Sequence, residues 1–164
     1  MKKIGIIMGS RSDLPIVQKV IDTLKNLGIP YEVHILSAHR TAVEAAEFAR
    51  TARSKNFAAI IAAAGMAAHL AGAMAANTTL PVIGLPCAGA HLEGLDALLS
   101  TVQMPSGIPV ATVAINGGAN AAFLAAQILA VEDAALAQKL ADLRTAAAEK
   151  ILEQDRALQQ ELNQ

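Results

Sequence analysis

IGIIMGSRSDLP, residues 4–15, is an apolar run that breaks at Gly9 and resumes as a helix start. Ile4 to Met8 has the composition of a strand buried on both faces, as in a parallel sheet. Asp13 is placed to cap a helix whose first turn tolerates Pro15, because the missing N–H of proline has no partner there. Gly28 ends that helix near Leu27, and Pro30 follows. A strand, a glycine-containing turn and a helix form the opening unit of an α/β domain.

The same alternation continues along the chain. Tyr31 to Leu36 reads as a second strand, followed by a helix over 41–53. Ala58 to Ala63 reads as a third strand, broken by Gly65, with a helix of small residues to about Ala76. Leu80 to Leu85 is the fourth strand, ended by Pro86, and Leu92 to Val102 is helical. Val110 to Ile115 is the fifth strand, and Gly117 and Gly118 open a helix to about Val131. Five strands alternating with helices argue for a three-layer αβα sandwich with a central parallel sheet.

The chain of 164 residues fits one domain, 1–164, with a sizeable core. Alanine supplies much of the 54% hydrophobic content, so the core is expected to be closely packed around small side chains. A net charge of −1 without a basic stripe argues against nucleic acid. With 2% aromatics there is little to stack bases on. Cys87 is the only cysteine, which excludes an internal disulfide and a Cys-based zinc site. No clean apolar run has membrane-spanning length, and no signal-peptide layout opens the sequence. These features make a cytoplasmic protein with no membrane partner the expectation. No His or carboxylate pair has local ligand spacing, so no metal is expected.

The tail, residues 132–163, lacks Gly and Pro. Leu136, Leu140, Leu143, Ala147, Ile151 and Leu158 recur at helical spacing. About 30 helical residues span about 45 Å, more than the roughly 30–35 Å width of such a domain. The tail reads as one long surface helix with a potential break near Ala146. An apolar stripe of that length calls for a cover, and a neighbouring subunit is the expected one.

Two runs hold the polar groups, MGSRSD (Met8 to Asp13) and SAHR (Ser37 to Arg40). Each follows a strand, and strand ends in a parallel sheet share one rim, where ligands bind. Ser10 and Ser12 offer hydroxyls beside a helix N-terminus, which attracts anions. Asp13 repels phosphate and suits sugar hydroxyls better. Arg40 can fork onto a phosphate. His39 can give and take a proton near neutral pH. A third turn, GMAAHLAG (Gly65 to Gly72), adds His69 and small residues that let a ligand approach the backbone. Each feature also has a plain structural reading: a helix cap, a surface salt bridge, a structural histidine. Their common rim favours a pocket for a phosphorylated sugar-like ligand.

Taken together, MGSRSD, SAHRT (37–41), AAHL (67–70), LPVIGLP (80–86), the stretch 94–115 and NAAFLAAQIL (120–129) resemble a known family. It is the phosphoribosylaminoimidazole carboxylase catalytic-subunit family, small purine-biosynthesis enzymes acting on carboxyaminoimidazole ribonucleotide. The resemblance implies a flavodoxin-like fold, a homo-octamer whose C-terminal helix reaches a neighbour, and no cofactor. Arg40 after His39, and the GMAAHL turn, resemble the mutase branch, whose substrate comes from an ATP-dependent carboxylating synthetase. The alternative branch carboxylates aminoimidazole ribonucleotide directly with carbon dioxide. By resemblance, His39 is the general acid and base. Ser10, Asp13 and Arg40 hold the ribose phosphate, with Ser12 and Ser37 nearby, and Ala64, Gly65 and His69 shape the pocket around the migrating carboxylate. The chain departs from the family pattern in having Met66 and Ala71 where Gly and Pro are usual. Ala42 stands in place of Pro, and the turn over 116–119 is shorter. A non-catalytic binding or signalling module on the same fold is the third possibility.

Overall fold

The computed structural model describes residues 1–89 and 91–163. The chain forms two compact units, residues 1–129 and 130–164. In the first, strands β1 (Lys3–Met8), β2 (Tyr31–Ile35), β3 (Phe57–Gly65), β4 (Val82–Cys87) and β5 (Ala111–Thr112) build one sheet in the order β2-β1-β3-β4-β5. Every pairing is parallel. Helices α1 (Leu14–Leu27), α2 (Ala42–Ala52), α3 (Leu70–Ala75), α4 (Leu95–Val102) and α5 (Gly118–Ala130) connect or follow the strands. This is the flavodoxin-like order, whose topological switch point lies between β1 and β3.

The central strands are buried along nearly their whole length, as a sheet covered on both faces requires. Strand alternation sorts their side chains. Ile7, Ile60 and Ala62 pack with Ala45, Ala49, Leu70 and Met74, the inner faces of α2 and α3. Ile4, Ile6 and Ile61, all fully buried, point to the opposite face. The alanine-rich core is present, with Ala121, Ala122, Ala125 and Ala126 of α5 fully buried. Two glycines allow the close packing. A Cβ on Gly118 would lie 2.5 Å from the Ile16 carbonyl oxygen, so glycine lets α5 press onto α1. A Cβ on Gly84 would overlap the Thr101 methyl of α4.

Several expected boundaries move. Pro86 does not end the fourth strand, since β4 runs through it to Cys87 and Pro86 pairs with Ala64. Proline fits because the register asks no hydrogen bond of its nitrogen. The fifth strand is two residues instead of six. After Thr112 the chain leaves the ladder for a turn in which Asn116 has φ +58°. Gly65 belongs to β3, and α3 starts only at Leu70. Asp13 does not cap α1 with its side chain. Its carboxylate instead accepts from the Ser10 N–H, closing a capping box around a one-turn 3-10 helix, Arg11–Asp13.

In the second unit, α6 (Ala134–Leu162) is continuous, without a break near Ala146. Asp133 caps it by accepting from the Leu136 N–H at 3.0 Å. Its 29 residues span about 43 Å. Leu143, Ile151, Leu152, Leu158 and Leu162 are exposed along it. No helix among the described residues is long and apolar enough to cross a membrane.

Candidate active site

The sheet order places the C-terminal ends of β1, β2, β3 and β4 along one rim. A cleft of about 600 Å³ opens there. It is lined by Ser10, Ser12, Asp13, Ser37, His39, Arg40, Ala64, Gly65 and His69, every residue singled out from the sequence. Residues up to 80 positions apart, Gly9 to Gly89, meet because four turns converge at the rim of the sheet, where α/β sheets take their ligands.

The turn after β1 is built around Ser10. Its Oγ accepts from the Ser12 N–H at 3.3 Å, while its own N–H donates to Asp13 Oδ2 at 3.1 Å. The Asp13 carboxylate is thereby held in the cleft lining, partly buried. The turn after β2 is organised by Ser37. Its Oγ accepts from the N–H groups of His39 at 3.3 Å and Arg40 at 3.1 Å. Thr41 Oγ1 in turn accepts from the Ser37 N–H at 2.8 Å. Ser37 therefore shapes the turn that presents the imidazole and the guanidinium. Arg40 Nη2 donates to the Gly9 carbonyl at 3.2 Å, which ties the β2 turn to the β1 turn.

His39 Nε2 lies 2.7 Å from His69 Nδ1, with the rings edge to face at 77°. At that separation one nitrogen carries the hydrogen and the other offers its lone pair. His69 precedes α3 directly and supplies no side-chain cap to it, so its ring is free to hold His39 over the cleft.

Two ionisable groups, Asp13 in the cleft lining and Cys87 buried at the end of β4, are displaced by burial. The Asp13 carboxyl is raised above its usual 3.8, because desolvation outweighs the hydrogen bond from Ser10. Burial first, and then the nearby Asp13 carboxylate, push the Cys87 thiol up to about 12. The thiol stays protonated, with its Sγ 3.6 Å from the Leu85 carbonyl oxygen, and offers no nucleophile.

A carboxyl raised by folding contributes stability in full below 3.8 and loses it as pH rises through its folded value. At neutral pH the Asp13 charge costs the free protein stability. Asp13→Asn keeps an acceptor for Ser10. The variant is expected to resist urea better than the parent at pH 7, with the gap closing as pH falls toward 3.8. The same variant loses affinity for a nucleotide whose ribose hydroxyls Asp13 accepts from. Equal urea midpoints at pH 7 would contradict this reading of the buried charge.

The lining also includes Ala88 and Gly89, after β4, which the sequence did not single out. Asn116 fixes that turn by accepting from the Ala88 N–H at 2.9 Å. The only signal in the sequence was a glycine two residues past a strand. A larger groove of about 1070 Å³ lies around the loops that precede β4 and β5. Its Arg50 and Arg53 donate to Asn77 Oδ1 and Thr79 Oγ1. Both arginines stand at the C-terminal end of α2, where cations neutralise the helix dipole. That role accounts for them, and the groove has none of the converging chemistry of the β-strand rim. Among the described residues no group of three or more His, Cys, Asp or Glu could hold a metal ion.

Known proteins share this chain's sequence and fold. N5-carboxyaminoimidazole ribonucleotide mutase of Thermotoga maritima is 47% identical over 160 residues, covering 98% of this chain and 94% of that protein. Phosphoribosylaminoimidazole carboxylase of Saccharomyces cerevisiae is 48% identical over 149 residues, covering 91% of this chain and 26% of that protein. The crystal structure of Treponema denticola PurE superposes with a TM-score of 0.87 at 32% identity, covering 94% of this chain and 97% of that one. The family model described as AIR carboxylase matches residues 3–150, a span that contains every turn of the cleft. By fold, by sequence and by the turns that line its cleft, the chain belongs to the AIR carboxylase family.

Proposed function

We propose that this protein is an N5-carboxyaminoimidazole ribonucleotide mutase. It moves the carboxylate from the exocyclic nitrogen to ring carbon C4 and acts in purine (IMP) biosynthesis. The observation that carries the reading is the convergence of His39, Arg40 and Asp13 on one cleft floored by Ala64 and Gly65. Arg40 and the Ser10 and Ser12 hydroxyls hold the phosphate, with Ser37 bracing the Arg40 turn. Asp13 accepts from the ribose hydroxyls.

Protonated His39 donates to the exocyclic nitrogen as its bond to the carboxylate carbon breaks. Aminoimidazole ribonucleotide and carbon dioxide are then held together. C4 attacks the carbon dioxide, and neutral His39 takes the C4 proton. One residue thus closes the proton cycle, and the net change is an isomerisation that needs no cofactor. Ala64, Gly65 and His69 surround the migrating carboxylate and keep it near C4.

The direct carboxylase is the second reading, favoured by the yeast relative's name and by the description of the matching family model. An assay of both nucleotides separates the two. A mutase turns over the N5-carboxy compound at low bicarbonate and uses aminoimidazole ribonucleotide only at high bicarbonate. Turnover of aminoimidazole ribonucleotide alone would establish the carboxylase, and binding without turnover of either would leave a non-catalytic module.

The same reading places the protein in the cytoplasm, beside the ATP-dependent synthetase that makes its substrate, which cell fractionation checks. It also makes the protein a homo-oligomer, with an octamer as the expected size. Exposed apolar residues support self-association: Leu92 just before α4, Leu95, Leu99 and Val102 along it, and Leu143, Leu152, Leu158 and Leu162 of α6. Light scattering is expected to give a mass several times the 16.9 kDa chain, and a monomer would sink the proposal.

A further inference from the structure

Met66 follows β3 directly and has φ +52°, in the left-handed region that side chains with a Cβ enter at a cost. It is 64% exposed, although it is a long apolar residue. It lines the cleft together with His39, His69 and Gly65. Its Cγ lies 3.9 Å from where a Cβ on Gly89 would stand, so it reaches from the β3 turn toward the β4 turn. Neither the strained backbone nor the exposed thioether is compensated by core packing. Strain of this kind persists where function uses it, and methionine adapts readily to a surface that changes shape.

We propose that Met66 is the water-excluding side chain of this cleft, folding over the imidazole end of the bound nucleotide so that free carbon dioxide does not leave. This rests on the mutase reading. Between breakage of the nitrogen–carbon bond and formation of the C4–carbon bond, the carboxyl group exists as carbon dioxide. The electron pair of the broken bond remains on the nucleotide, and His39 has delivered its proton to the nitrogen. Escape at that moment leaves aminoimidazole ribonucleotide as a by-product. Recapture requires carbon dioxide from solution. An apolar flap at the mouth lowers the chance of escape without touching phosphate or ribose.

The test is turnover of unlabelled N5-carboxy substrate in ¹³C-bicarbonate with carbonic anhydrase present. It reads the labelled fraction of product and the aminoimidazole ribonucleotide released per turnover. The parent protein is expected to label little. Met66→Gly is expected to raise both readouts several-fold, with the nucleotide KM changed by less than about twofold. It should fold normally, because glycine accepts φ +52° without strain. Met66→Leu, which keeps the apolar bulk, is expected to stay near the parent. If Met66→Gly turns over too slowly to score, Met66→Ala is read in the same way. Unchanged labelling in the truncated variant, or equal leakage from Met66→Leu, overturns the proposal. Failure of the parent protein to convert the N5-carboxy substrate is a separate result, which overturns the mutase reading before any variant is made.

Discussion

His39→Asn is expected to fold, bind nucleotide and lose turnover by about 10²–10⁴-fold, the range that one positioned acid–base group supplies. The side chain is exposed, and among the described residues its ring hydrogen-bonds to His69. Exposed substitutions of this kind change stability by no more than about 0.5 kcal/mol. The main-chain bond from His39 to Ser37 Oγ survives the change, so Arg40 keeps its place in the turn. Asparagine can hydrogen-bond to a nucleotide but cannot donate a proton as the carbamate breaks or accept one from C4. The loss should therefore fall on kcat, with nucleotide affinity from direct titration nearly unchanged. Turnover within about threefold of the parent would place the proton elsewhere, and His69 would be the next residue to test.

Gly84→Ala is expected to destabilise the fold by about 1–3 kcal/mol, the usual cost of overpacking a close-packed interior. The added Cβ would overlap Thr101 Cγ2 and lie 2.8 Å from Val110 Cγ1. Neither neighbour yields easily, because both are β-branched and stiff at χ1. Thr101 is further locked by donating from Oγ1 to the Ala97 carbonyl at 2.7 Å. Thr101→Ser removes the methyl and keeps that hydroxyl. The double variant is therefore expected to recover part of the loss, and the cycle isolates the clash. Urea midpoints for the four proteins measure it. A single variant within about 0.5 kcal/mol of the parent would show that α4 slides off β4 at little cost. Because β4 also carries Ala88 and Gly89 to the cleft, the same variant tests how firmly the fourth strand holds that wall.

Much of the fold was legible from local pattern. Uniform apolar runs in β1, β3 and β4 mark strands buried on both faces, because a covered parallel sheet leaves no polar side. Gly28 and Pro30 mark the end of α1 through chemistry that acts within a few residues. The boundaries that moved were set by longer-range pairing. Pro86 reads as a stop in sequence, yet β4 continues through it because its register with Ala64 asks nothing of the missing N–H. β5 reads as six residues, yet only Ala111 and Thr112 stay in the ladder.

For the site, the sequence by itself determined which residue types stand at the strand ends: hydroxyls, a carboxylate, an imidazole and a guanidinium. Period, turn chemistry and residue type are local properties, so one chain suffices to see them. Tertiary structure alone decided that β1 lies between β2 and β3, which brings the Ser10, Ser37 and Gly65 turns side by side. It also decided that His39 meets His69 at 2.7 Å, that Asp13 is buried enough to hold its proton more tightly, and that Met66 lines the cleft. Distance, desolvation and exposure depend on which distant segments pack together, and no window of sequence contains them.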